Sequence, residues 1–417
     1  MNVKKNFKII YDNVHRSIVV PEEILAVVNS SELQRLSWIR HLGLAYLVFP
    51  GGVHTRFEHS LGTYHVASSV ASVLSLDEHD SLLLEYAALL HDVGHGPLSH
   101  TLDSVFMHFY NLDHVNVGVS LIKGDRSISG ESSLPSIMEK YGVDPEEVVS
   151  VITGANLNKK RFFLHEIIDG VADIDQVDYL MRDAYHTGVA YGSIDDQRLI
   201  NSYELFKGHL VVGKKGINAA EGLTLARKLM YSSVYYHKTV RIAEVMVERA
   251  VEHALAIKKE DVNLFDDMEL FNWLYRSNEL SAELTRMVRY RVLYKAAYIS
   301  GNDVLIPDLV ETLNGFVNDP DKRMDFERSL SIEITGKPYR IFFDIPGLEL
   351  DKTKKYRKTG GVKIVKNGEI VLLNDVSPLS RQISRKELVP YRFMVMAPPQ
   401  YVKEVQKKMD RIMQNGF

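Results

Sequence analysis

A mainly α-helical protein with a smaller C-terminal α+β lobe is the fold class this sequence predicts, and three observations carry it. Apolar residues recur at helical spacing through most of the first 300 positions. The texture then changes to short strand-like runs separated by turn residues. With 417 residues, 45% of them hydrophobic, the chain can bury a large core and more than one domain. The expected division is a strand or hairpin segment over 1–24, a helical domain over 25–300 and an α+β lobe over 301–417.

Taken in order, "FKIIYDNVHRSIVV" alternates weakly and reads as a short strand or hairpin, and Pro21 then opens a helical region. "SSELQRLSWIRHLG" places Leu33, Leu36 and Ile39 on one stripe, with serine at its start and Gly43 at its end. "EHSLGTYHVASSVASVLSL" keeps the period through Leu61, Val66 and Val70, and "HDSLLLEYAALLHDVGHG" is a third helix stopping near Gly94. Further helices are expected over 114–124, 135–142, 145–153 and 164–186, with two or three more over 216–295. "PYRIFFDIPGLEL", "GGVKIVKNGEIVLLN" and "YRFMVMAPPQ" read as strands, with Asn367-Gly368 as a hairpin turn. "YVKEVQKKMDRIM" closes the chain as a charged helix. The basic run "KTKKYRK", 352–358, reads as a solvated loop, with an anion or nucleotide site as the sharper alternative.

Composition narrows the chemistry. The net charge of −4 offers no basic excess for a large nucleic-acid footprint. The absence of cysteine removes disulfides, iron–sulfur clusters, thiolate zinc sites and cysteine nucleophiles. A metal would have to be held by histidine nitrogen and carboxylate oxygen. "LGLAYLVF" is cut by Pro50-Gly51-Gly52 well short of a membrane span, and "MNVKKNFKIIYDNVH" has no apolar run of signal-peptide length. The expectation is a cytoplasmic protein without a membrane span.

Against that background, "ALLHDVGHGPLSH" crowds His91, Asp92, His95 and His100 together at the end of an apolar helix. Burying an imidazole and a carboxylate there is costly unless both are satisfied. Neighbours on a helix diverge by about 100°, so the pair suits a third body between them, such as a divalent cation. A helix-end aspartate cap beside a buried histidine is the plainer alternative. "HTRFEHS" brings His59 just ahead of another amphipathic helix. In "ADIDQVDYLMRD", Asp173 with Gln176 fits a capping box, so Asp173 serves the helix. Asp175 shares a stripe with Tyr179, Arg182 and Asp183, a poor core face and a plausible site wall. Asp103 follows His100 by three residues, within reach to orient its ring.

A histidine, then a His-Asp pair, then a distant aspartate resembles the HD-domain metal-dependent phosphohydrolase superfamily. "YDNVHRSIVV", "QRLSWIRHLGLAYLVFPGGVHTRFEHSLGTYHVA", "LLHDVGHGPLSHTLD", "DIDQVDYLMRDAYHTGVAYG" and "YYHK" follow the order of its dNTP triphosphohydrolase branch. That branch includes a sterile-alpha-motif-containing enzyme and bacterial dGTPases. The likeness covers roughly residues 8 to 245, with a looser echo in "YRFMVMAPP". It implies a divalent ion (Mg, Mn, Fe, Ni, Co or Zn) on His59, His91, Asp92 and Asp175. It further implies an acid–base and phosphate-contacting group of His95, His100, Asp103 and His114. Arg56, His41, Leu42, Tyr179, Asp183, Arg227, Tyr235 and Lys238 fall at substrate-contacting positions. The implied reaction is cleavage of a dNTP to nucleoside and triphosphate, in a homo-oligomer.

Three positions depart from the family pattern. His41 stands where a glutamine touches the sugar, Val115 where a glutamate follows His114, and Gln176 where a lysine contacts phosphates. The last change weakens the grip on a triphosphate, because charge-assisted contacts are stronger than neutral ones. Val115 leaves His114 without an obvious partner to raise its pKa. Hydrolysis of another phosphoester, such as a nucleoside monophosphate or cyclic nucleotide, is the alternative reaction. A nucleotide- or nucleic-acid-binding protein is the alternative class.

Overall fold

The computed structural model describes residues 7–129, 134–301, 307–346, 361–385 and 389–415, so the basic run at 352–358 lies outside the described residues. Its contacts divide the chain into two units, 1–230 with 261–270 and 358–386, and 231–260 with 271–357 and 387–417. Each unit gathers segments distant in sequence, and the second begins well before residue 300. Among the described residues, no helix is long and apolar enough to cross a membrane.

The first unit opens with an antiparallel hairpin, β1 (Phe7–Asp12) and β2 (Arg16–Pro21), in which Ile9 faces Val19. Asp12 Oδ1 ties its turn by accepting the N–H groups of Val14 (2.9 Å) and His15 (2.7 Å). Helix α1 (Glu22–Val28) follows, then α2 (Ser31–Arg35), capped by Ser30. The single helix expected to run on to Gly43 does not form. A short 3-10 turn, Leu36–Trp38, ends it, and the following backbone bonds across space instead. Arg56 N donates to Ile39 O (3.0 Å), His41 N to His54 O (3.0 Å) and Arg40 N to Asp267 Oδ2 (3.1 Å).

Helix α3 (Arg56–Val73) starts at a full Thr55/Glu58 capping box, and α4 (Glu78–Leu90) at Asp77. Next come α5 (Asp103–Tyr110), α6 (His114–Lys123), α7 (Leu134–Lys140), α8 (Pro145–Thr153), α9 (Phe162–Ile168) and α10 (Ile174–Thr187). The helix expected over 164–186 is thus two helices. Asp169 leaves helical geometry, and Asp173 starts afresh by accepting Gln176 N (2.8 Å). Gln176 does not complete a capping box, because its amide donates to the Asp173 carboxylate (3.1 Å) and the carbonyls of Gly170 and Val171. Leu61, Val66 and Val70 of α3, Leu83 and Ala87 of α4, and Val177 and Leu180 of α10 are buried. Gly62 lets α3 lie close to α10, since a Cβ there would run into Asp178 and Arg182.

Then follow α11 (Asp196–Ile200), β3 (Tyr203–Phe206), β4 (His209–Val212), α12 (Ile217–Met230), α13 (Lys238–Ile257), α14 (Asp267–Ser277), α15 (Glu279–Arg289) and β5 (Lys295–Ser300). After them come α16 (Pro307–Asn318), α17 (Pro320–Thr335), β6 (Phe342–Asp344), β7 (Lys363–Lys366), β8 (Glu369–Leu372), α18 (Leu373–Val376), α19 (Pro378–Arg385), β9 (Phe393–Ala397) and α20 (Val402–Asn415). β3, β4, β7 and β8 form one sheet in the first unit. The expected Asn367-Gly368 turn joins β7 to β8, with both residues at positive φ. In the second unit, an antiparallel sheet ordered β5-β9-β6 packs Phe343, Phe393 and Val395 against Leu313, Phe316, Leu330 and Met409.

Candidate metal centre

Three elements bring four side chains to one point. His59 sits inside the first turns of α3 rather than ahead of it, His91 caps α4 with Asp92 next, and Asp175 lies in the first turn of α10. His59 Nε2 is 3.1 Å from Asp175 Oδ1 and 3.6 Å from Asp92 Oδ2. His91 Nε2 is 3.4 Å from Asp92 Oδ1 and 3.6 Å from Asp175 Oδ1. Both Nε2 atoms are buried and neither has a hydrogen-bond partner, a costly arrangement unless another body meets them. The opposite ring nitrogens are engaged, His59 Nδ1 with Asp178 Oδ2 (2.8 Å) and His91 Nδ1 with the Ala88 carbonyl (2.7 Å). These bonds orient the rings and turn both Nε2 atoms toward the carboxylates.

Two imidazole nitrogens and two carboxylates are a donor set that suits a divalent cation, and His59, His91 and Asp175 satisfy the spacing for one ion. Burial alone would raise both carboxyls. Arg56, His91 and His95 outweigh it at Asp92, and His59 and His91 at Asp175, so both lie well below the usual carboxylate range. Burial disfavours charge on His59, but Asp175 and Asp178 outweigh it and raise the ring to about 10. A proton and a cation therefore compete for the same nitrogen.

Asp12, His15 and Asp178, which the sequence did not single out, support these groups together with Arg182. Asp178 accepts from Arg182 Nε (2.9 Å) and lies 2.6 Å from His15 Nε2, while Arg182 Nη1 donates to Asp12 Oδ2 (2.7 Å). The N-terminal turn thus reaches the back of His59. Asp178 follows Asp175 by one helical turn, the only local hint of its place. The stripe read along α10 splits accordingly: Tyr179 lies 6.5 Å from the His59 ring, whereas Arg182 turns to Asp178 and Asp12.

Beside this point lies a second group. His95 stacks on His114 with ring centroids 3.9 Å apart, and its Nε2 is 3.3 Å from Asp92 Oδ1. Asp103 Oδ2 lies 3.0 Å from His100 Nδ1 and 3.5 Å from His114 Nδ1. The expectation that His114 lacks a carboxylate partner is therefore corrected: Asp103 stands where Val115 supplies nothing. Burial raises Asp103, but His114 and His100 outweigh it and keep the carboxyl well below its usual range. Burial, Arg56 and His114 hold His95 well below the usual imidazole value, so its ring is neutral.

The substrate-position residues fare unevenly. Arg56 is buried with its guanidinium on Asp92 and on Ser99 Oγ (2.7 Å). Asp183 Oδ1 lies 2.8 Å from His54 Nε2 and 3.8 Å from His41 Nε2, and His54 stacks on His186. Burial, with His59 and Arg56, holds His41 well below its usual value. Leu42 is half-buried beside it. Arg227 lies in the last turn of α12. Tyr235 and Lys238 belong to the second unit, where Lys238 lines a cavity of about 320 Å³ with Arg291 and Lys295.

Comparison with known proteins agrees with this architecture. Residues 56–183 match the HD domain and residues 194–415 the HD associated region. An uncharacterized protein of Methanocaldococcus jannaschii, MJ1154, is 35% identical over 415 residues, covering 97% of this chain and 83% of its own. The deoxynucleoside triphosphate triphosphohydrolase SAMHD1 of Gallus gallus is 29% identical over 283 residues, 59% of this chain and 45% of its own, so the chain spans less than half of that relative. The crystal structure of a hypothetical protein from Aquifex aeolicus shares the fold with a TM-score of 0.75 at 26% identity, covering 97% of this chain and 100% of its own. With its paired HD domain and HD associated region, the chain belongs to the HD-domain family of metal-dependent phosphohydrolases.

Proposed function

We propose that the protein hydrolyses deoxynucleoside triphosphates to deoxynucleoside and triphosphate, with a divalent ion on His59, His91, Asp92 and Asp175. The observation that supports this reading is the convergence of those four side chains beside a histidine group able to move protons. When bound, the ion supplies positive charge to a phosphoryl oxygen and makes a nearby water more acidic. Water oxygen adds to the α-phosphorus, the bond from phosphorus to the 5′ oxygen breaks, and triphosphate retains the water oxygen. The departing 5′ oxygen needs a proton. Asp103 lies beside the rings of both His100 and His114, a placement that assigns donation to one of those two, while neutral His95 orients. Arg56 Nη2, buried without a hydrogen-bond partner, is the donor left for a substrate oxygen. His41, Leu42, Tyr179, Asp183 and Tyr235 are assigned to the sugar, and Arg227 and Lys238 to phosphates or base. A homo-oligomer in the cytoplasm completes the proposal.

One observation favours a smaller phosphoester, such as a nucleoside monophosphate or cyclic nucleotide. The remaining Arg56 nitrogens hold Asp92 and Ser99, and the Gln176 amide holds Asp173 and two carbonyls. Fewer charge-assisted contacts are then left for a triphosphate. Incubation with Mn²⁺ or Mg²⁺ and each dNTP, alone and in pairs, beside a panel of nucleoside monophosphates and cyclic nucleotides, separates the readings. Inorganic triphosphate supports the first, while orthophosphate or pyrophosphate as sole inorganic product rejects it. Turnover confined to monophosphates or cyclic nucleotides establishes the second.

A further inference from the structure

Between His95 and His100, Leu98 and Ser99 both adopt a left-handed backbone at φ 57°. Residues with a Cβ disfavour that region, so such a turn persists only where its surroundings hold it. Asp267 accepts the Leu98 N–H through Oδ1 (2.7 Å) and the Arg40 N–H through Oδ2 (3.1 Å). Arg35 Nη2 donates to the carbonyls of Val93 (3.0 Å) and His95 (2.6 Å), and its Nη1 to that of Phe265 (3.1 Å). Arg35 and Asp267 are 6% and 4% exposed, and neither belongs to the histidine and aspartate groups described above. The segment 261–270 and helix α2 are thereby both tied to the turn and, through Arg35 and Phe265, to each other.

We propose that Arg35 and Asp267 are positioning residues for the phosphohydrolase reaction: they fix the path from Val93 to Ser99 and so aim His95 and His100. This rests on the metal-dependent phosphohydrolase reading. His95 lies before the turn, stacked on His114, and His100 after it, 3.0 Å from Asp103. A rotation of the turn displaces both rings together. Misplacing reacting groups by about 1 Å lowers a rate by about 100-fold.

The test uses the full chain with Asp267→Asn, Arg35→Met and Arg35→Lys. Asp267→Asn keeps one carbonyl acceptor and loses the other, and Arg35→Lys keeps charge without the fork. Hydrogen exchange of peptides spanning 91–103 is read in the metal-free protein, Mn²⁺ binding by titration, and dNTP hydrolysis by steady-state kinetics. For Asp267→Asn and Arg35→Met, exchange in that segment accelerates about tenfold while the rest of the chain keeps its protection. Mn²⁺ binding is unchanged, KM is little changed, kcat falls about 10- to 100-fold, and Arg35→Lys restores part of it. Unchanged exchange in 91–103, or exchange raised throughout the first unit with kcat intact, overturns the proposal. A wild-type protein that hydrolyses no dNTP sinks the substrate reading alone, and the exchange result still decides the role of the strap. If Arg35→Met does not fold, Asp267→Asn and Arg35→Lys give the same decision.

Discussion

Asp178 accepts from the His59 ring with one oxygen and binds His15 with the other, while Arg182 braces both. Asparagine at 178 would present an amide N–H to His59 Nδ1 in one orientation and so favour the tautomer with its proton on Nε2. Asp178→Asn is therefore expected to weaken Mn²⁺ binding by about 10- to 100-fold, read by titrating metal into the stripped protein. Unaltered affinity would show that His59 needs no such brace. Asp267 governs a pH effect. Burial chiefly lifts its carboxyl to about 6, although the Leu98 and Arg40 N–H groups oppose the rise. An unfolded aspartate releases its proton near about 3.9. Between about pH 4 and 6 the folded chain therefore binds more protons than the unfolded one, and stability falls as pH rises. The contribution is fully present below that window and lost above it, with a span of about 3 kcal/mol. Urea midpoints across the window should show this decline in wild type and not in Asp267→Asn.

Elements matter where backbones must come close. Helix α3 carries His59 and α10 carries Asp175 and Asp178, so their separation sets whether these groups meet. Gly62 permits that approach. Gly62→Ala should destabilise the chain by about 1–3 kcal/mol through overpacking, and weaken metal binding along with it. Chemical denaturation and metal titration on the same sample check both, and a stable variant with full metal affinity would contradict the close-approach argument. The turn after α4 follows the same logic where Gly94 meets α6, since a Cβ there would meet the backbone of Gly118 and the carbonyl of His114.

For the whole molecule, the proposed ion would join three elements, the His59 imidazole of α3 and the ionised carboxylates of Asp92 after α4 and Asp175 in α10. A cation that binds only the folded chain stabilises it by mass action, by about 2.7 kcal/mol at a hundredfold excess over its dissociation constant. Mn²⁺ should raise the melting temperature of the metal-free protein, chelation should reverse the rise, and Asp92→Ala should abolish it. Equal melting curves with and without every divalent ion tried would count against the metal centre itself. The second unit is held differently, by buried charge: Arg249 donates to Glu327 and to the Phe343 carbonyl, and Arg241 to Asp344.

The sequence by itself determined the helical character, the Asn367-Gly368 hairpin and the identity of the converging histidines and aspartates. Those are local properties: helical period, turn chemistry and motif order are written in neighbouring residues, and the lack of cysteine limits the ligand set at once. Tertiary structure decided where helices stop and which side chains brace the site. The chain after Leu36 leaves the helix because Ile39, Arg40 and His41 bond to partners on other segments. Arg56 joins Asp92, His15 reaches Asp178, and β4 pairs with β7 across some 150 residues. Helices α16 and α17 were likewise hidden in a region whose strand-like runs dominated its texture. Contacts between distant segments leave no periodic trace along the chain, so only the folded molecule displays them.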